Sequence, residues 1–145
     1  MAFATIDDLL EVEPNIQEYG LLDFEAALAQ AEADIIKLLK IRWWPSFVKS
    51  QTTLTAFSEL NSALLNPSQW TNVTCYYALA HYILPKMSKF ESDVDSFQHK
   101  MEYYAQRSEA AIDIEIRSGV AYDLDQDDQF SVDETLPTNS LRLVR

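Results

Sequence analysis

The sequence predicts a mainly α fold, a small helical bundle with an extended or β-hairpin C-terminal arm. Three observations predict it. Only two glycines occur in 145 residues, too few for a chain of tight β turns. Apolar residues make up 48% of the chain and recur mostly at steps of three and four. After Gly119 the pattern changes to alternation. The expected units are therefore a helical bundle over 1–119 and an acidic hairpin with an extended tail over 120–145.

Each element has its own signal. Thr5-Ile-Asp-Asp8 has the form of a capping box, so a short helix is expected from Ile6 to about Val12, stopped before Pro14. A further turn is expected from Pro14, closed by Gly20. Phe24, Ala27, Leu28, Ala31, Ile35, Leu38 and Leu39 mark the first long helix, near 23 to 42, which is expected to stop at Trp43-Trp44-Pro45. Its acidic start and basic end complement the helix dipole. Leu54, Phe57, Leu60 and Leu64 suggest a third helix. Asn66-Pro67 supplies a cap and a first-turn proline for a fourth, near 67 to 84, with Trp70, Val73, Tyr77, His81 and Leu84 on one face and Pro85 at its end. The most regular helix, near 88 to 118, carries the seam Phe90, Val94, Phe97, Met101, Tyr104, Ser108 and Ala111 between a cap at Ser88 and Gly119.

Charge narrows the function classes. Eleven Lys+Arg against 23 Asp+Glu give a net charge of −12, which opposes a grip on nucleic acid. A surface that DNA slides past would want this sign. Residues 1–34 hold nine acids and no base, whereas Lys37, Lys40, Arg42 and Lys49 follow without an acid among them. Between Gln51 and Pro85 the only formal charge is Glu59, and that stretch is rich in aromatic residues, part of which suits an interface. The lone Cys75 has no partner for an intrachain disulfide, and the opening residues lack the form of a signal peptide, so a reducing cytoplasm is expected. No apolar run approaches the ~18 to 20 residues of a spanning helix, so no membrane partner is expected.

Few residues suggest chemistry. Asp123, Asp125, Asp127, Ser131 and Glu134 fall at positions 1, 3, 5, 9 and 12 of an EF-hand-like spacing, with Phe130 at position 8. Position 6, where glycine normally allows the sharp turn, is Asp128, and Pro137 leaves no room for an exiting helix. Tight calcium binding is therefore not expected; micromolar binding that disappears in Asp123→Ala would contradict this. The other reading is an acidic hairpin facing water. His81 reads as a packed core histidine, Cys75 as inert, and no nucleophile is paired with a base, so neither catalysis nor a cofactor is expected. Trp43 and Trp44 suit a partner contact or a plug at the end of the bundle. The segment Leu141-Arg142-Leu143-Val144-Arg145 is expected to order on a partner by strand addition.

Taken in order, these features resemble the head-to-tail connector (adaptor) proteins of tailed double-stranded DNA phages, which bind beneath the portal ring. The resemblance is carried by Thr5-Ile-Asp-Asp-Leu-Leu with Pro14, the Ala-rich long helix ending in aromatics, and the Tyr-rich helix closed by Pro85-Lys-Met. Gly119-Val-Ala-Tyr-Asp-Leu-Asp-Gln-Asp and the Leu141-Arg-Leu-Val-Arg145 ending complete it. The resemblance implies a virion protein of the neck, made in the host cytoplasm, that assembles as a ring, typically twelvefold. Its C-terminal arm would reach the portal protein, its other end would receive the tail or neck protein, and DNA would pass through without specific binding. Two other classes stay open: a scaffolding or regulatory helical protein with one partner on its aromatic middle, and a degenerate calcium module.

Overall fold

The computed structural model describes residues 2–14, 16, 23–51, 54–55, 57–87 and 96–130, which form a mainly helical body. Helix α1 (Ile6–Val12) begins with the expected capping box: the Thr5 side chain accepts from the Asp8 amide while the Asp8 carboxylate accepts from the Thr5 amide at 2.8 Å. Helix α2 (Phe24–Arg42) is capped by Asp23, which accepts from the Ala26 amide at 3.0 Å. It buries Phe24, Ala27, Leu28, Ala31, Ile35 and Leu39 along one stripe.

Three expectations are corrected. Helix α2 ends at Arg42, before Trp43, as expected, but the chain does not leave helical structure there: Pro45 stands in the first turn of a separate helix, α3 (Trp44–Ser50), where its missing N–H leaves no carbonyl wanting. The helix expected through Leu54, Phe57, Leu60 and Leu64 is absent from the described residues there, apart from one 3₁₀ turn at Ser62–Leu64. Asn61 sits in extended backbone, donating its amide to the Tyr122 hydroxyl and accepting the Ala63 amide on its own side chain. Local and long-range hydrogen bonds thus compete successfully with the helix. Phe57 stands 93% exposed.

The third correction concerns Pro85. Asn66 caps a 3₁₀ turn at Pro67–Gln69, and α4 (Thr71–Ala78) follows. Instead of ending at Pro85, helical structure continues through a π turn at Leu79–Ile83 into α5 (Leu84–Met87). A proline withholds one amide and crowds the carbonyl four residues back, and the ladder accommodates it by widening: the Leu84 amide bonds Leu79 oxygen, five residues away. The inserted residue rotates the face beyond it. Leu79, Ala80, Ile83 and Leu84 are buried, and His81, expected in the core, is exposed.

Helix α6 (Ser96–Ser118) ends where Gly119 adopts a φ of 114°, the left-handed region that glycine enters without Cβ strain. Tyr104, Ser108, Ile112 and Ile116 form its buried seam. The expected positions Ser88, Phe90 and Val94, and most of the turn expected at Pro14 to Gly20, lie outside the described residues. Helix α4 is central, packing against α1, α2 and α6. The core is double. One cluster joins Trp43, Trp44, Phe47, Trp70, Ile112 and Tyr122; the other joins Leu9, Phe24, Leu28, Cys75, Leu79 and Tyr104. No helix among the described residues is long and apolar enough to cross a membrane.

Beyond Gly119 the alternation does not translate into an in-and-out strand, because Val120, Ala121, Tyr122 and Asp123 are all buried. The segment runs beside Leu64–Asn66, with the Asp123 amide donating to Leu64 oxygen at 2.9 Å and the Asn66 amide to Ala121 oxygen at 3.2 Å. One antiparallel bridge, Leu65 with Tyr122, results. Residues 131–145, with the remainder of the expected arm, lie outside the described residues.

A polar junction closes α1 onto α6. The Glu13 carboxylate accepts from Lys100 Nζ and from the Tyr104 hydroxyl, both at 2.7 Å. Burial alone would raise its pKa, but the two hydrogen bonds and the Lys100 charge outweigh it and hold the group below the ordinary carboxylate value. Its contribution is present above the ordinary carboxylate range and is lost as pH falls through the lowered value. Replacing Glu13→Gln is therefore expected to cost about 1 to 3 kcal/mol at neutral pH, shrinking toward zero below about pH 4. Thermal melts across pH check this; a penalty that persists at acid pH would contradict it.

Candidate functional site

The acidic loop after Tyr122 is the most organised polar feature of the surface. Asp123 is only 6% exposed although it carries a carboxylate. It is held because Oδ1 accepts the Asp127 amide at 3.1 Å and Oδ2 the Asp128 amide at 2.9 Å. Asp127 in turn accepts the Gln129 amide at 2.9 Å. These turns bring carboxylate oxygens of Asp123, Asp125 and Asp127 within 4.8 Å of one another. Three oxygen donors in that arrangement suit a hard cation such as Ca²⁺.

The sequence argument against a tight turn at position 6 does not hold. Asp128 takes φ 63° and Gln126 takes φ 58°, so the chain turns there without glycine. Aspartate tolerates this region better than most residues because its short side chain bonds locally. Asp128 adds one more negative charge to a loop already holding three, and Pro137, the other argument, lies outside the described residues. Glu134, the expected distant ligand, lies outside the described residues.

The remaining sequence candidates separate by burial. Trp43 is fully buried and Trp44 is 8% exposed, their rings packed with Phe47 and Tyr122 at centroid distances of 4.7 to 5.7 Å. Trp44 Nε1 donates to Ser58 oxygen at 2.9 Å. The structure thus places them inside the helical body and not on its surface. Leu141, Arg142, Leu143, Val144 and Arg145 lie outside the described residues. Cys75 is buried, and burial together with the nearby Asp8 and Glu11 pushes its thiol up to about 12. It has no thiolate to offer at neutral pH.

The aromatic stretch that the sequence marks for an interface contains Tyr76 and Tyr82; Tyr103 and Arg107, which join Tyr76, were not singled out. Arg107 lies 4.9 Å from the Tyr76 ring centroid and 5.7 Å from that of Tyr103, and its guanidinium donates to the Tyr76 hydroxyl at 2.9 Å. Tyr82, pushed up to about 12 by burial and by Asp34, donates to that carboxylate. The signal for Tyr103 was the Tyr103-Tyr104 pair on α6.

Charge along α2 is polar in the literal sense. Asp23, Glu25, Glu32 and Asp34 occupy its first part; Lys37, Lys40 and Arg42 occupy its last. At 1.5 Å per residue the two ends lie roughly 25 Å apart. Comparison with protein-family models, with curated proteins and with solved structures gives no match.

Two outcomes follow from these environments. Cys75 is expected to resist a thiol-specific reagent in the native protein and to react on denaturation, as followed by absorbance; fast native labelling would show an open core. Asp123→Ala is expected to cost about 1 to 3 kcal/mol, because two backbone amides lose a charged acceptor. A denaturant midpoint equal to wild type would mean that the carboxylate organises nothing.

Proposed function

We propose that this chain is a head-to-tail connector subunit of a tailed double-stranded DNA phage, assembling as a twelvefold ring between the portal protein and the tail or neck. The observation that carries the reading is the charge polarity of α2, acidic at one end and basic at the other. Part of that distribution serves the helix dipole, worth a few tenths to about 1 kcal/mol per charge. The dipole does not require Lys49 on the following helix, nor the acids of α1. Separated patches of opposite sign make a surface complementary to another part of the same molecule, and such a heterologous contact gives a ring where the rotation between copies closes.

The other features agree with a structural role. The net charge of −12 suits a channel wall that DNA passes without adhering. Aromatic residues beside Arg107 form the kind of surface enriched at protein interfaces. The resemblance in sequence layout supplies the place in the virion.

Electron-microscopy class averages of the purified chain mixed with its cognate portal test the proposal. Annular density added beneath the portal is the expected result. A chain that neither forms rings nor associates with the portal overturns it.

A further inference from the structure

A groove of about 480 Å³ lies between the N-terminal segment and the exposed face of α2. Its apolar lining is small: Ala2 and Ala29 are exposed and Ile6 half-buried, while Ala4 and Leu28 beneath them belong to the core. Its rim is acidic, formed by Asp7, Glu25 and Glu32, with no basic side chain among its lining residues. Glu32 accepts the Phe3 amide and so holds the segment against α2. Asp7 and Glu25 are exposed and have no partner among the described residues.

Phe3 uses both its backbone groups, donating to Glu32 and accepting from the Thr71 hydroxyl at 2.7 Å, and the chain bends there. The occupant that fits carries apolar side chains for the groove and is basic.

One segment of this chain has that composition. Residues 136–145 contain Leu141, Leu143 and Val144 with two arginines and no acid, in a molecule of net charge −12. We propose that the groove receives the segment Leu141–Arg145 of a second copy of this chain. Its leucines cover Ala2, Ile6 and Ala29, and Arg142 and Arg145 meet Asp7 and Glu25. This rests on reading the chain as a subunit of a homo-oligomer and names the contact that joins its copies. Contact between unlike surfaces is heterologous, so it propagates from copy to copy until the rotation closes.

Sedimentation velocity on the full-length chain and two charge-reversed variants tests it. The wild type is expected to assemble, and more weakly as salt rises. Asp7→Lys/Glu25→Lys and Arg142→Glu/Arg145→Glu should each weaken assembly by about tenfold or more, corresponding to about 1.4 kcal/mol, while circular dichroism stays that of the wild type. An equimolar mixture of the two variants should recover assembly, since the groove of each then meets the opposite charge on the other. If either variant misfolds, Asp7→Asn/Glu25→Gln replaces the groove variant, with the same direction expected.

Recovery absent from the mixture would place each segment in its own subunit's groove and overturn the proposal. Variants that assemble as well as wild type, or a wild type monomeric at its highest soluble concentration, overturn it too. Rings that survive both reversals and still bind the portal would sink this contact and leave the connector reading standing. Assembly through this contact without portal binding would do the opposite.

Discussion

The Tyr122 ring is the constraint on which the rest of the architecture depends. It packs edge-on against Trp44 and Phe47 at 5.3 and 5.4 Å and lies 5.6 Å from Trp43, at the junction of α2 and α3. Its hydroxyl accepts the Asn61 amide at 3.1 Å, and its backbone bridges Leu65. One side chain therefore fastens together the helix junction, the loop before α4 and the segment leaving α6. Aromatic pairs add about 0.5 to 1.5 kcal/mol each beyond burial, so the cluster is worth several such increments. Remove it and the acidic loop loses its base, because Asp123 is held in place by the residue before it.

The same cluster has a cost. The indole nitrogens of Trp43 and Trp70 are buried without a hydrogen-bond partner among the described residues. An unpaired buried donor costs about 1 to 3 kcal/mol. Burying two whole indoles offsets this, each removing a large apolar surface from water. Around the second core the joints are polar: Glu13 with Lys100 and Tyr104, and Tyr82 with Asp34. One core is thus packed by rings and the other pinned by hydrogen bonds, with α4 contributing to both.

Elements governed by local chemistry were legible in the sequence. Thr5 and Asp8, Asp23 and Gly119 mark helix ends by groups that act within four residues, and the structure puts boundaries there. Where tertiary contacts decide, the pattern misled. Leu54 to Leu64 has helical spacing, yet Asn61 is drawn into extended backbone by a tyrosine 61 residues away. The stop at Trp43-Trp44-Pro45 does end α2, but Pro45 then opens another helix; Pro85, read as a stop, is absorbed by a π turn, which no spacing rule announces. Of the sites, the three aspartates converge as their spacing suggested. The tight turn at Asp128 was missed because glycine was taken as obligatory, and the acidic groove was invisible because its two walls are distant in sequence.

Hydrogen–deuterium exchange resolved to single amides tests the central claim, that Tyr122 fastens the acidic loop to the helical body. The Asp123, Asp127 and Asp128 amides should exchange slowly in the wild type, each having a named acceptor. In Tyr122→Ala they should exchange at loop rates while the α4 amides keep most of their protection. Fast exchange of all three in the wild type, or unchanged protection in the variant, would contradict the account.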